Sequence, residues 1–151
     1  MQIDSRPEPI RLRITGKNSQ VVIEPEDRDL FVMFVQEAIE ACKVYQDYKN
    51  IFEKQLEHLK DLLGRWASEH LTKLDGAFLT LLNGRFLFVV VTKQQAFDPA
   101  LEDELSSLDI NIAQDENCSQ LNVDVQALPK CDKDAYMSFC NPKWTLEYQK
   151  A

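Results

Sequence analysis

The sequence predicts an α+β fold of about six largely antiparallel strands, arranged as three hairpins packed against one long helix and one short helix. Three observations predict it. Asn83-Gly84 separates two apolar runs, residues 77–82 and 86–91. Apolar residues recur at a mean spacing of 3.5 from Phe31 to Trp66. Segments 10–24 and 109–127 show the period-two alternation of half-buried strands.

Residues 10–24 form the first predicted hairpin. Ile10, Leu12 and Ile14 alternate with Arg11 and Arg13, Gly16-Lys17-Asn18-Ser19 supplies the turn, and Val21-Val22-Ile23 returns. One face is apolar and the other carries arginines.

Pro25-Glu26-Asp27-Arg28-Asp29 opens the long helix, with carboxylates where the helix dipole favours them. Its stripe runs Phe31, Val35, Ala38, Cys42, Tyr45, Tyr48, Phe52, Leu56, Leu59, Leu63 and Trp66. The alternation of threes and fours slips only between Cys42 and Leu56, which predicts a kink there. No Gly or Pro lies between Glu26 and Leu63, so the reading is one helix over 27–71. Such a rod would be about 68 Å long, against a diameter of about 40 Å for a compact globule of this size. It either projects and pairs with another surface or folds back near residues 47–50; the missing turn residues favour projection.

The run before Asn83-Gly84 and the run after it form the second hairpin, through a type I′ turn. It is expected at the centre of the sheet. Residues 86–91 are apolar without alternation, so both faces of that strand need a cover.

Asp98-Pro99 starts the short helix as N-cap and first helical residue, and Leu101, Leu105 and Leu108 share a face. Residues 109–113 and 121–127 alternate as the two strands of a third hairpin, with a turn at 115–119. The expected division is a single α+β domain over 1–128 and a C-terminal tail over 129–151. The tail carries Tyr136, Met137, Phe139, Trp144, Leu146 and Tyr148.

With 44% hydrophobic and 28% charged residues the chain is not a disordered one. No apolar run approaches the length of a spanning helix, and the first seven residues lack a secretory signal's apolar segment. A cytoplasmic protein with no membrane partner is expected. The four cysteines include no C-x-x-C pair, so no zinc knuckle or redox motif is present.

The net charge of −8 is concentrated: residues 98–128 contain eight carboxylates and no lysine or arginine. That repels phosphate backbones and argues against nucleic acid.

Chemistry is sparse. His58 and His70 lie twelve residues apart on a predicted helix, about 18 Å along its axis, and cannot share a metal; both read as solvated helix residues. Asp109, Asp115, Glu116 and Asp124 match no calcium-loop spacing. No catalytic residue, metal ligand or cofactor is assigned.

The leading functional reading is a non-catalytic interaction or adaptor protein, a homodimer through the long helix. Phe31, Val35, Tyr48, Phe52, Leu56, Leu59, Leu63 and Trp66, together with Trp144, would make the contacts. A second reading is a small-molecule, anion-binding or enzymatic domain with a pocket between helix and sheet, using Arg11, Arg13, Thr92 and Lys93. A third is an acidic, chaperone-like binder that docks a protein partner on the 98–128 face.

Overall fold

The computed structural model describes residues 8–14 and 21–150, which form six strands and four helices. The chain opens with β1 (Ile10–Ile14) and β2 (Val21–Ile23), then α1 (Arg28–Ala41) and α2 (Lys49–Glu69). The hairpin β3 (Leu74–Leu82) and β4 (Arg85–Thr92) follows, then α3 (Pro99–Gln114), β5 (Val123–Leu128), α4 (Lys133–Met137) and β6 (Thr145–Lys150). The turn expected at Gly16-Lys17-Asn18-Ser19 lies outside the described residues.

The strands make one sheet in the order β2-β1-β6-β3-β4-β5. The pairs β1–β2, β3–β4 and β3–β6 are antiparallel, while β1–β6 and β4–β5 are parallel. The sheet is therefore mixed, a correction to the largely antiparallel arrangement of three hairpins. Two hairpins exist; the third does not.

The third hairpin fails because residues 109–113 continue α3 to Gln114. Ile112 follows Leu101, Leu105 and Leu108 at helical spacing and is buried with them, whereas Ile110 faces solvent. Asp98 caps this helix through the amides of Ala100 and Leu101. With its expected partner helical, β5 instead lies parallel to β4, Val125 opposite Phe88.

The single long helix is also corrected: α1 and α2 are separate elements of 14 and 21 residues. The break is a Schellman cap. Lys43 sits in the left-handed region at φ 54, its amide reaches the Glu40 carbonyl, and the Val44 amide reaches the Ile39 carbonyl. A 3₁₀ turn at Gln46–Tyr48 then starts α2. Asp27 stands at the N-cap of α1 without capping it. Its carboxylate accepts instead from the Arg11 amide at 2.8 Å and from the Arg11 guanidinium at 3.0 and 3.3 Å, tying the helix start to β1.

The first three helices cover one face of the sheet. Leu12, Leu79, Leu146, Phe86, Phe88 and Tyr148 point into this layer and meet Phe34, Phe52, Leu56, Leu59 and Leu63. Gly64 lets α2 approach closely, since a Cβ there would stand 2.2 Å from Val21 Cγ2. The Tyr148 hydroxyl, buried with its ring, donates to the Lys60 carbonyl at 2.8 Å.

The opposite face carries a second, smaller core. Phe78, Val91 and Cys140 are covered by Cys131, Tyr136 and Met137, with Tyr136 stacked on Phe78 at 5.2 Å. The segment between β5 and β6 thus seals the apolar strands from behind. Asn141 anchors it: its amide donates to Thr80 Oγ1, its Nδ2 to the Leu81 carbonyl, and its Oδ1 accepts from the Lys143 and Trp144 amides.

Candidate functional site

Most residues of the predicted interaction seam lie in the interior of the chain itself. Leu56, Leu59 and Leu63 are 0% exposed, and Phe31, Phe52 and Trp144 are buried with them. Val35 and Trp66 are half-buried, and Trp66 stacks on His70 at 4.0 Å. Tyr48 alone of the nine is exposed. The break at Lys43 causes this, because it turns the stripe of each helix onto the sheet.

Other apolar groups remain outside. Leu30, Val32 and Met33 on α1 are exposed, as are Tyr45, Tyr48 and Ile51 around the α1–α2 junction. Val32, at 55% exposure, stands on the lip of a groove of about 440 Å³ between α1 and α2. Phe31, Val32 and Val35 form its apolar wall; Glu53, Lys54 and Glu57 form the facing rim.

The four proposed anion contacts do not converge. Arg11 is paired with Asp27 and Glu26, and Arg13 with Glu24. Thr92 donates to the Gln94 carbonyl at 2.7 Å. Lys93 lines a cleft of about 400 Å³ at the sheet end, shared with Asp75, Glu147 and Lys150. Strands β1 and β4 are three strand spacings apart, roughly 14 Å, so the arginines and the β4 end do not face one ligand.

Both histidines hold the acidic segment against α2. His70 Nε2 pairs with Glu104 of α3, while its Nδ1 lies 2.7 Å from the Trp66 carbonyl. His58 Nε2 lies 2.6 Å from Asp115 Oδ2. Asp124 pairs with Arg85, and Asp98 caps α3. Half of the eight carboxylates are therefore engaged within the chain. Glu102, Asp103, Asp109 and Glu116 have no ion-pair partner among the described residues.

His58 and Asp115 belong to a tighter constellation with Cys118. One donor atom from each of the three lies within 4.8 Å of the others. His58 comes from α2, while Asp115 caps and Cys118 ends the 3₁₀ turn Glu116–Cys118 that follows α3. The turn is locked locally and against α2. Asp115 Oδ1 accepts from the Asn117 amide at 2.8 Å. Gln55, one turn before His58, donates to the Glu116 carbonyl and Ser119 Oγ and accepts from the Gln120 amide.

The His58 contact holds the Asp115 carboxyl below its ordinary range. Desolvation, and next the Asp115 charge, push the buried Cys118 thiol up to about 11. Sequence spacing could not expose this group, because His58 is 57 residues from Asp115. The available signal was the acidic segment itself, which lacks cations of its own and must find them on another element.

Among the described residues no helix is long and apolar enough to cross a membrane. No family model matches the chain, and neither a curated protein nor a solved structure matches it.

Proposed function

We propose that the protein is a non-catalytic interaction module that works as a homodimer, with the α1–α2 groove as its contact surface. The observation that carries this reading is the exposed apolar side of α1 beside that groove, where Val32 stands in water next to Val35 and Phe31. A contiguous apolar surface of this kind gains from being covered. The contact differs from the continuous seam read from sequence, most of whose residues are spent on the chain's own core, though Phe31 and Val35 also line the groove.

A second copy is the occupant favoured by the rim. Glu53, Lys54 and Glu57 carry both signs, so a two-fold arrangement sets the lysine of one protomer against the glutamates of its partner. A partner of one charge sign would leave part of that rim opposed by like charge.

Light scattering across a micromolar concentration series tests the reading. The expected mass is twice the chain's 17.5 kDa. Val32→Glu should raise the dimer dissociation constant at least tenfold, about 1.4 kcal/mol, without changing the circular dichroism spectrum. A wild-type chain that stays monomeric throughout the series overturns it.

A further inference from the structure

We propose that His58, Asp115 and Cys118 form a binding site for a divalent cation of the zinc class, which clips α2 to the turn after α3. The three donors are an imidazole nitrogen, a carboxylate oxygen and a thiol sulfur, the set that a borderline-soft ion prefers. This inference does not rest on the dimer reading.

Geometry supports it first. Bond lengths of about 2.0 Å to nitrogen and oxygen and about 2.3 Å to sulfur put tetrahedral donors roughly 3.3–3.6 Å apart. The three donor atoms already lie within 4.8 Å of one another, so the site closes by side-chain rotation. His58 and Asp115, now 2.6 Å apart, open by about 0.7 Å to admit the ion. His58 and Asp115 are partly exposed while Cys118 is buried, which leaves the outer side for a water as fourth ligand.

The surroundings are also those of a metal site. The Asp115 oxygen not facing His58 is held by the Asn117 amide, and Gln55 fixes the turn to the helix that carries His58. Such outer contacts orient ligands before the ion arrives. Charge balances too: one thiolate and one carboxylate neutralise a divalent ion. Glu116, next to Asp115 in the chain and without an ion-pair partner among the described residues, adds negative charge beside the site. On binding, the sulfur–metal bond forms as the Cys118 proton leaves to solvent. The nitrogen–metal bond forms as the proton that His58 Nε2 donates to Asp115 is released to solvent or replaced by one on Nδ1, with no change of oxidation state.

Cobalt(II) is the probe, because its thiolate complexes show a charge-transfer band in the near ultraviolet. Titration of the reduced 151-residue chain should reach one cobalt per chain with that band, and zinc should displace it. Cys118→Ser should abolish the band, while Cys131→Ser should keep it. If Cys118→Ser is misfolded by circular dichroism, His58→Gln at a partly exposed position serves instead and should weaken cobalt binding at least tenfold. Absence of the band in the wild-type chain, its survival in Cys118→Ser, or unchanged affinity in His58→Gln overturns the proposal and leaves a His58–Asp115 hydrogen bond only.

Discussion

Gly64 of α2 faces Val21 of β2 with no room between them, for a Cβ at position 64 would meet Val21 Cγ2 at 2.2 Å and Tyr148 Cε1 at 3.2 Å. Alanine is the better helix former by up to about 1 kcal/mol, yet overpacking of a filled site costs about 1–3 kcal/mol. Contact should win. Gly64→Ala is expected to lower stability by about 1 kcal/mol, read as a shifted urea midpoint at unchanged slope. A gain in stability would mean that β2 yields freely.

The α1–α2 break gives the opposite expectation. Lys43 holds φ 54 at the position where glycine is usual. Relieving that strain is worth about 1 kcal/mol, partly offset by the greater freedom of glycine in the unfolded chain. Lys43→Gly should therefore stabilise the protein by about 0.5 kcal/mol and raise its Tm by roughly 1–2 °C. Differential scanning calorimetry measures it.

Asp27 should govern part of the acid response. Its hydrogen bond to the Arg11 side chain is the main cause that lowers its carboxyl below the ordinary 3.8, against the opposing effect of burial. A lowered folded-state value contributes stability that is present above the unfolded value and lost as pH falls through the folded one. Asp27→Asn should thus be less stable than wild type at pH 7, and the gap should narrow below pH about 4. Denaturant midpoints taken from pH 7 to pH 2 supply the comparison.

Asn141 joins the covering segment to β3. Its side chain donates to the Leu81 carbonyl at 2.8 Å and accepts from the Lys143 and Trp144 amides at 2.9 and 3.4 Å. Asn141→Ala strips all three and should cost about 2–3 kcal/mol. Asn141→Asp keeps the two acceptor contacts but sets an anion against the Leu81 carbonyl, so its loss should differ from that of alanine. Exposure of Cys140 to a thiol reagent gives an independent readout, because the Cys140 thiol is buried and pushed up to about 11, mainly by desolvation.

Particular residues explain what could be read in advance. Asn83-Gly84 takes φ 54 and 75, values that few other pairs tolerate, so β3–β4 was legible from two letters. Lys43 carries no such mark; the only trace of its turn was the slipped spacing after Cys42. Residues 109–113 fit period two and period 3.6 equally over five positions, and burial of Ile112 beside Leu108 decides for the helix. The parallel pairings of β5 with β4 and of β6 with β1 depend on distant partners that local pattern does not encode.

The candidate site divides the same way. That the stripe from Phe31 to Trp66 is one helical face was readable, but its destination followed from whether the helix turned back. Two short helices lay their stripes on the chain's own sheet, where one rod could not. The His58, Asp115 and Cys118 grouping needs the packing of α2 on the turn after α3, and no spacing rule anticipates it.

Strand β6 lies between β1 and β3, and among the described residues it is the strand that joins the first hairpin to the rest of the sheet. On a ribosome, residues 10–14 pair early with residues 21–23 but must wait for residues 145–150 to gain their second neighbour. Until that segment emerges, the edges of β1 and β3 that it will fill stay open, each a template on which a foreign strand can pair.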